Sequence, residues 1–350
     1  MNFTSSRGKL IFSTLFFLLP FLSIQAQFRN SGAKTVTYEE LYDTPYEINK
    51  LFLHFQPLYG EVFVANVNMG FGLQAEYHLN DKFDFQLHGR TAYAQRMDMA
   101  RETADKNATV NTNTQDPFST FFYVEGGATY HINDREEDTE TKLILYSKRY
   151  KKRKWAAKVP DHIKVPSKVR KYYGVRLGGL YYDTTTDLDR AMTSQGTIIT
   201  DESGTPIPDD AVVFGNLSTM GIYVGGSMSW IKNFAIKPDK SYGVLSDDLY
   251  FTTYVDLIIA PSIEIDDIFY DEDGSGPMDG IVYSAENIET SSFGFRAGME
   301  GKFNRQLGWA YGAELGMRPG IKQRGFYALV KISFPVFSTN LDHEKEAFGK

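Results

Sequence analysis

From Val67 to Tyr93 the chain alternates apolar and polar positions with a period of two. Met69, Phe71, Leu73, Ala75, Tyr77 and Leu79 fall on one face, and Gly70, Gly72, Gln74, Glu76 and His78 on the other. After Asn80-Asp81-Lys82 the alternation resumes, with Phe83, Phe85, Leu87, Gly89, Thr91 and Tyr93 against Asp84, Gln86, His88 and Arg90. A period of two is the strand signature, and a short polar turn between two such runs predicts a hairpin. Pairing Leu79 with Phe83 sets His78 opposite Asp84, Glu76 opposite Gln86 and Gln74 opposite His88. One face of this hairpin is apolar without interruption and rich in aromatics; the other is polar.

The same pattern recurs along the chain. It predicts strands at Leu51–Tyr59, Val67–Leu79, Phe83–Tyr93, Phe118–Ile132, Tyr172–Tyr182, Leu217–Ile231, Leu249–Ile263, Ser291–Phe303, Leu307–Arg318 and Phe326–Phe337. Pro57 weakens the first of these, because proline cannot donate to a ladder. The charged residues inside the windows are Glu76, Asp84, Arg90, Glu125, Arg176, Asp256, Arg296, Glu300, Lys302, Glu314, Arg318 and Lys331, and each falls on the polar face. A Lys or Arg facing lipid at mid-depth costs roughly 2–4 kcal/mol, so a lipid-facing surface excludes charge this strictly. An open sheet edge in hydrocarbon leaves backbone groups unpaired, which requires closure. The expectation is an all-β fold: a transmembrane antiparallel up-and-down β-barrel of about ten strands, with eight to twelve compatible with the pattern.

Composition changes the picture in three ways. Met1–Ala26 has the basic start, apolar middle and small-residue end of a secretory signal peptide, cleaved near Ala26. There is no cysteine, which excludes disulfides, thiolate metal sites and an N-terminal lipid-modified Cys. Aromatics reach 15%, and Trp230, Phe303 and Trp309 fall beside predicted turns on the apolar face, where an interfacial girdle belongs. On these residues the mature chain resembles a Gram-negative outer-membrane β-barrel of the cysteine-free, aromatic-rich kind found in Bacteroidota-type envelopes; no short motif fixes a subfamily. The domains expected are a signal peptide (1–26), a periplasmic N-terminal segment (27–50) with a short helix around Tyr38–Leu41, the barrel (51–337) with a periplasmic insertion at 133–171, and a periplasmic tail (338–350).

The twelve window charges divide evenly by sign. In a barrel of about ten strands, inward side chains nearly fill the interior, so a balanced set reads as a plugged or narrow lumen. The polar network expected there is Glu76, His78, Asp84, His88, Arg90, Glu125, Arg176, Asp256, Arg296, Glu300, Glu314, Arg318 and Lys331. A tight hairpin between the eighth and ninth strands further predicts Arg296 opposite Glu314. His78 beside Asp84 is a pair suited to general-base work, but no serine is placed to act as nucleophile, so no catalysis is expected. His78, His88 and His131 all point inward near one end, which is weak support for a zinc site.

Two segments depart from the barrel pattern. Lys142–Lys171 contains twelve Lys/Arg and one acid, Asp161, including Lys148, Arg149, Lys151, Lys152, Arg153 and Lys154. So much positive charge in an acidic chain suits a polyanionic partner in the periplasm, such as a protein face or cell-wall polymer, besides the lipid around the barrel; nucleic acid is excluded by compartment. The alternative is a solvated charge run balancing Asp134–Glu140. Glu264–Glu289 carries nine acids and no Lys or Arg, and its Asp271, Asp273, Ser275 and Asp279 resemble half of a calcium loop whose closing Glu is replaced by Val282. No other cofactor is expected. The function expected is a structural or interaction component of the envelope that anchors the basic arm to an envelope partner or to assembly or secretion machinery; the runner-up is a narrow or gated channel, and a hydrolase ranks below both.

Overall fold

The computed structural model describes residues 37–107, 112–114, 117–145, 161–209, 211, 213–238, 243–270, 281–304 and 308–338. Ten antiparallel strands close into a barrel: β1 (Leu51–Phe63), β2 (Val67–Leu79), β3 (Phe83–Ala92), β4 (Phe122–Leu145), β5 (Asp161–Asp187), β6 (Phe214–Ile231), β7 (Leu249–Ile265), β8 (Phe293–Phe303), β9 (Ala310–Met317) and β10 (Phe326–Ser338). Each strand pairs with its neighbours in sequence, and β10 closes onto β1 with Tyr327 opposite Phe63. Asn80 and Asp81 take positive φ at the β2–β3 turn, a conformation their short polar side chains tolerate. That turn gives the expected register, with His78 opposite Asp84.

Polarity is inverted relative to a soluble fold. Leu73, Leu177, Leu257 and Val330 are each more than 60% exposed, whereas Arg296 is 1% exposed and Asp256 not at all. Apolar surface this continuous around a closed wall has no place in water and suits hydrocarbon. The barrel therefore has the organisation of a membrane-spanning one. Inward glycines make room for flat aromatic rings. Tyr223 lies across its register partner Gly178 and across Gly127, where an added Cβ would fall 2.1 Å from the phenol oxygen.

The two mouths differ. At the turn end lie the β2–β3 turn, the start of β1 and the end of β10; at the loop end lie most of the long connections. There, α1 (Met99–Asn107) lies in the connection between β3 and β4, and α2 (Leu188–Gln195) in that between β5 and β6, neither of which the strand pattern marks. Strands Thr112–Thr114, Ile268–Tyr270, Ile281–Ser284 and Thr200–Asp201 pair, in that order, into a four-stranded sheet. Phe121, Leu188, Ile199, Ile268 and Tyr283 from these connections share one core with Tyr59, Tyr182 and Tyr327 from the barrel wall.

The turn end carries a second small module. Beyond the last wall pairing, Arg170 with Ile231, β4 and β5 run on as a paired ribbon from Glu137 opposite Val169 to Leu145 opposite Asp161. At about 3.3 Å per residue the ribbon reaches roughly 30 Å. Its Leu143 and Val165 pack on Phe234 and Ile236, from the sheet formed by Tyr38–Asp43, Phe234–Pro238 and Leu245–Asp247. The helix expected around Tyr38–Leu41 is thus a strand: Glu40 lies opposite Ile236, and pairing overrides local preference. The β8–β9 register also differs from expectation. Arg296 faces Gly316 and Glu314 faces Gly298, because the connection is two residues longer than a tight turn. A shift of two keeps every side chain on its face.

Candidate functional site: the barrel lumen

The structure places all thirteen expected network residues, and Lys302, inside the wall. Nearest the loop end, the Glu61 carboxylate accepts two hydrogen bonds from Arg318 (2.6 and 2.7 Å) and one from Arg90 (2.9 Å). Glu61 lies beyond Tyr59, where the sequence reading ends the first strand; extending the alternation by one pair would have found it. The Arg318 guanidinium stands 4.0 Å from the Tyr327 ring centroid, and that of Arg90 stands 4.0 Å from Tyr123. Faces of aromatic rings replace part of the water these cations lose.

At mid-barrel, Arg296 donates to Glu125 (2.7 and 2.6 Å) and to Asp256 (2.8 Å), and Arg176 lies 3.1 Å from Asp256. Glu314 accepts from Tyr254 (2.6 Å) and Tyr327 (2.5 Å), with Arg296 at 3.7 Å. The Arg296–Glu125 bonds cross the lumen between β8 and β4, whereas Arg296 and Asp256 are register partners on adjacent strands. Buried ions are tolerated only when paired and hydrogen-bonded, and here nearly every one is.

Toward the turn end the filling loosens. Lys302 pairs with Glu76 and Lys331 with Glu300, while Gln74 donates to both carboxylates. Three cavities of about 30, 20 and 40 Å³ open among these groups, and Glu300 borders all three. In this closed arrangement each has room for a water molecule or two. His54, an inward residue outside the expected network, lines one of them.

At the turn-end mouth, Asp84 accepts from His78 Nδ1 (2.5 Å), His131 Nε2 (2.8 Å) and the Tyr172 hydroxyl (2.9 Å). His131 Nδ1 donates to the Asp81 carbonyl (2.8 Å). His88 is spent elsewhere, on Gln56 Oε1 at 3.0 Å. The three histidines therefore do not converge, which removes the zinc arrangement, and both imidazoles beside Asp84 serve to satisfy one carboxylate.

Outside the lumen, the ribbon's charges are paired: Lys164 with Glu140, Lys168 with Glu136, Lys171 with Glu137, and Arg170 with Asp134. This is the charge balance offered above as the alternative for the basic segment, and it accounts for the segment's second half. Lys148, Arg149, Lys151, Lys152, Arg153 and Lys154 lie outside the described residues, as do Asp271, Asp273, Ser275 and Asp279 of the calcium-like loop and the signal peptide.

No protein-family model matches the chain, and no curated protein matches it. Among solved structures, the CymD monoaromatic hydrocarbon channel aligns over 87% of this chain and 94% of its own, at 7% identity and a TM-score of 0.25, a likeness too low to carry any argument about function.

Proposed function

We propose that the chain is an integral outer-membrane β-barrel of a Gram-negative envelope, acting as a structural or interaction component that holds a basic arm in the periplasm against an envelope partner. The observation that carries this reading is the ribbon. It continues two wall strands across a register shift between His131 and Asn133, is braced by its own sheet, and projects from the turn end, which in such barrels faces the periplasm. A barrel with a lumen crosslinked by ion pairs is a rigid base for such an arm, and residues 146–158, which lie in sequence between its two strands and outside the described residues, hold seven of the twelve Lys/Arg of the basic segment. A periplasmic protein with an acidic face or an anionic cell-wall polymer is the partner this charge suits.

Topology is tested with single cysteines in a chain that has none. Ser203→Cys at the loop end should react with an impermeant reagent on intact cells, and Lys164→Cys should react only after permeabilisation; the reverse pattern would invert the assignment. Deleting 147–159 spares the paired ribbon and should abolish crosslinking to the partner while leaving the barrel folded. A steady open conductance of the purified barrel in planar bilayers would sink the anchor reading in favour of a channel.

A further inference from the structure

Between the sheet strand Tyr38–Asp43 and β1, residues Thr44–Lys50 pair in no strand ladder. At one end of this segment the Thr44 N–H donates to the Asn233 carbonyl, just past β6, and the Tyr46 ring lies 4.4 Å from the Arg170 guanidinium of β5. At the other end the Lys50 carbonyl accepts from His78 N–H on β2. In barrel order, β5 and β6 stand opposite β1 and β2, so the segment crosses the whole mouth. Midway, Ile48 sits on Tyr172, Ile231 and Tyr250, and Tyr250 lines two of the three lumen cavities.

The segment is fastened largely by asparagines. Asn233 Nδ2 donates to the carbonyls of Thr44 (2.9 Å) and Glu47 (3.0 Å), Asn304 Nδ2 donates to the Glu47 carbonyl (2.8 Å), and Asn49 N–H donates to Asn304 Oδ1 (2.9 Å). The same arrangement buries the Asn49 and Asn233 side-chain carbonyls without partners. An unpaired buried carbonyl raises the free energy of the closed position, and water would satisfy both on opening. At the loop end, by contrast, Thr184, Thr185 and Thr186 are fully buried within strand β5, among connections that share the barrel's aromatic core.

We propose that Thr44–Lys50 is a releasable gate: the lumen chamber around Glu300 opens to the turn end by displacement of this segment, and the loop end stays shut. What enters is water and small polar solutes able to approach a wall of paired carboxylates and ammonium groups. The inference stands on the barrel's geometry and does not depend on the anchoring role.

The test uses Thr252→Cys as the sole thiol, since Thr252 borders two of the cavities. Its rate of modification by a small charged methanethiosulfonate is measured on the refolded barrel. Releasing the gate with Asn233→Ala plus Asn304→Ala, or separately with Ile48→Asp, should raise the rate by about tenfold or more, as loss of one or two net hydrogen bonds implies. Loosening the loop end with Asp98→Ala should leave the rate unchanged. Unaltered rates in both release variants, or an equal rise with Asp98→Ala, would overturn the proposal. Hydrogen exchange on the unmutated chain decides independently of any variant's folding. Amides of Thr44–Lys50 should exchange at least about a hundredfold faster than those of Thr184–Thr186, and equal protection would refute the gate.

Discussion

At the loop end, Phe121, Leu188, Ile199, Ile268 and Tyr283 from separate connections enter one core with the aromatic residues of the barrel wall, and a four-stranded sheet spans them. At the turn end, seven residues cross the mouth on asparagine hydrogen bonds and one half-buried isoleucine. Burial of apolar surface scales with area and acts on many residues together, so the first closure opens only when much of the domain unfolds. Hydrogen bonds exchanged with water have small net worth, so the second can open locally. Both mouths are closed, but the closures differ in what it costs to undo them.

The largest effect should come from the ionic layer beneath the loop-end core. Arg318→Met leaves the fully buried Glu61 with Arg90 and a long bond from Asn68, and the refolded barrel should lose about 3–5 kcal/mol in a urea titration followed by heat-modifiable gel mobility. Phe121→Ala empties a fully buried site in the same core and should cost about 3 kcal/mol by that assay. A loss under about 1 kcal/mol would show that the loop-end core is not continuous with the barrel. Val165→Ala in the ribbon should destabilise the small turn-end module by about 2 kcal/mol, read as faster tryptic cleavage of the ribbon with the barrel's urea midpoint unchanged. Ile48→Ala should change global stability by less than about 1 kcal/mol, because the gate opens without unfolding the wall.

The smallest expected effect is a pH dependence at the loop end. Burial pushes the Asp98 carboxyl above the ordinary value of 3.8, outweighing its bonds from the Phe121 N–H (2.6 Å) and the Asn66 side chain (2.7 Å). The folded state therefore holds this proton more tightly than the unfolded chain. Its contribution is fully present below pH 3.8 and is lost as pH rises through the folded value. Asp98→Asn should flatten that decline, seen as a smaller difference in urea midpoint between pH 4 and pH 7.

Much of the barrel was legible because lipid and lumen impose opposite chemistry on alternate residues. Leu73 and Gln74 cannot exchange faces without placing an amide in hydrocarbon, so the alternation fixes the inward set before any contact is known. The Asn80-Asp81 turn likewise carries its register in local backbone preference. The ribbon was missed for the converse reason: Glu136, Asp138, Glu140 and Lys142 alternate with residues that are also polar or charged, so no apolar period marks a strand. Glu314 opposite Arg296 failed because a turn's length, not the pattern, sets pairing within a face.

The sequence by itself determined that this is a closed β-barrel of about ten strands, which side chains face inward, and that their charges nearly balance, since these follow from period, sign and the cost of charge in lipid. Only the tertiary structure decided which charges meet. Glu125 meets Arg296 across the lumen, and Glu61 meets Arg318 where β10 closes onto β1, each pair joining residues far apart in the chain. The crossing of the turn-end mouth by Thr44–Lys50 was decided the same way, because that segment has no periodicity of its own and takes its place from asparagines that closure brings within reach.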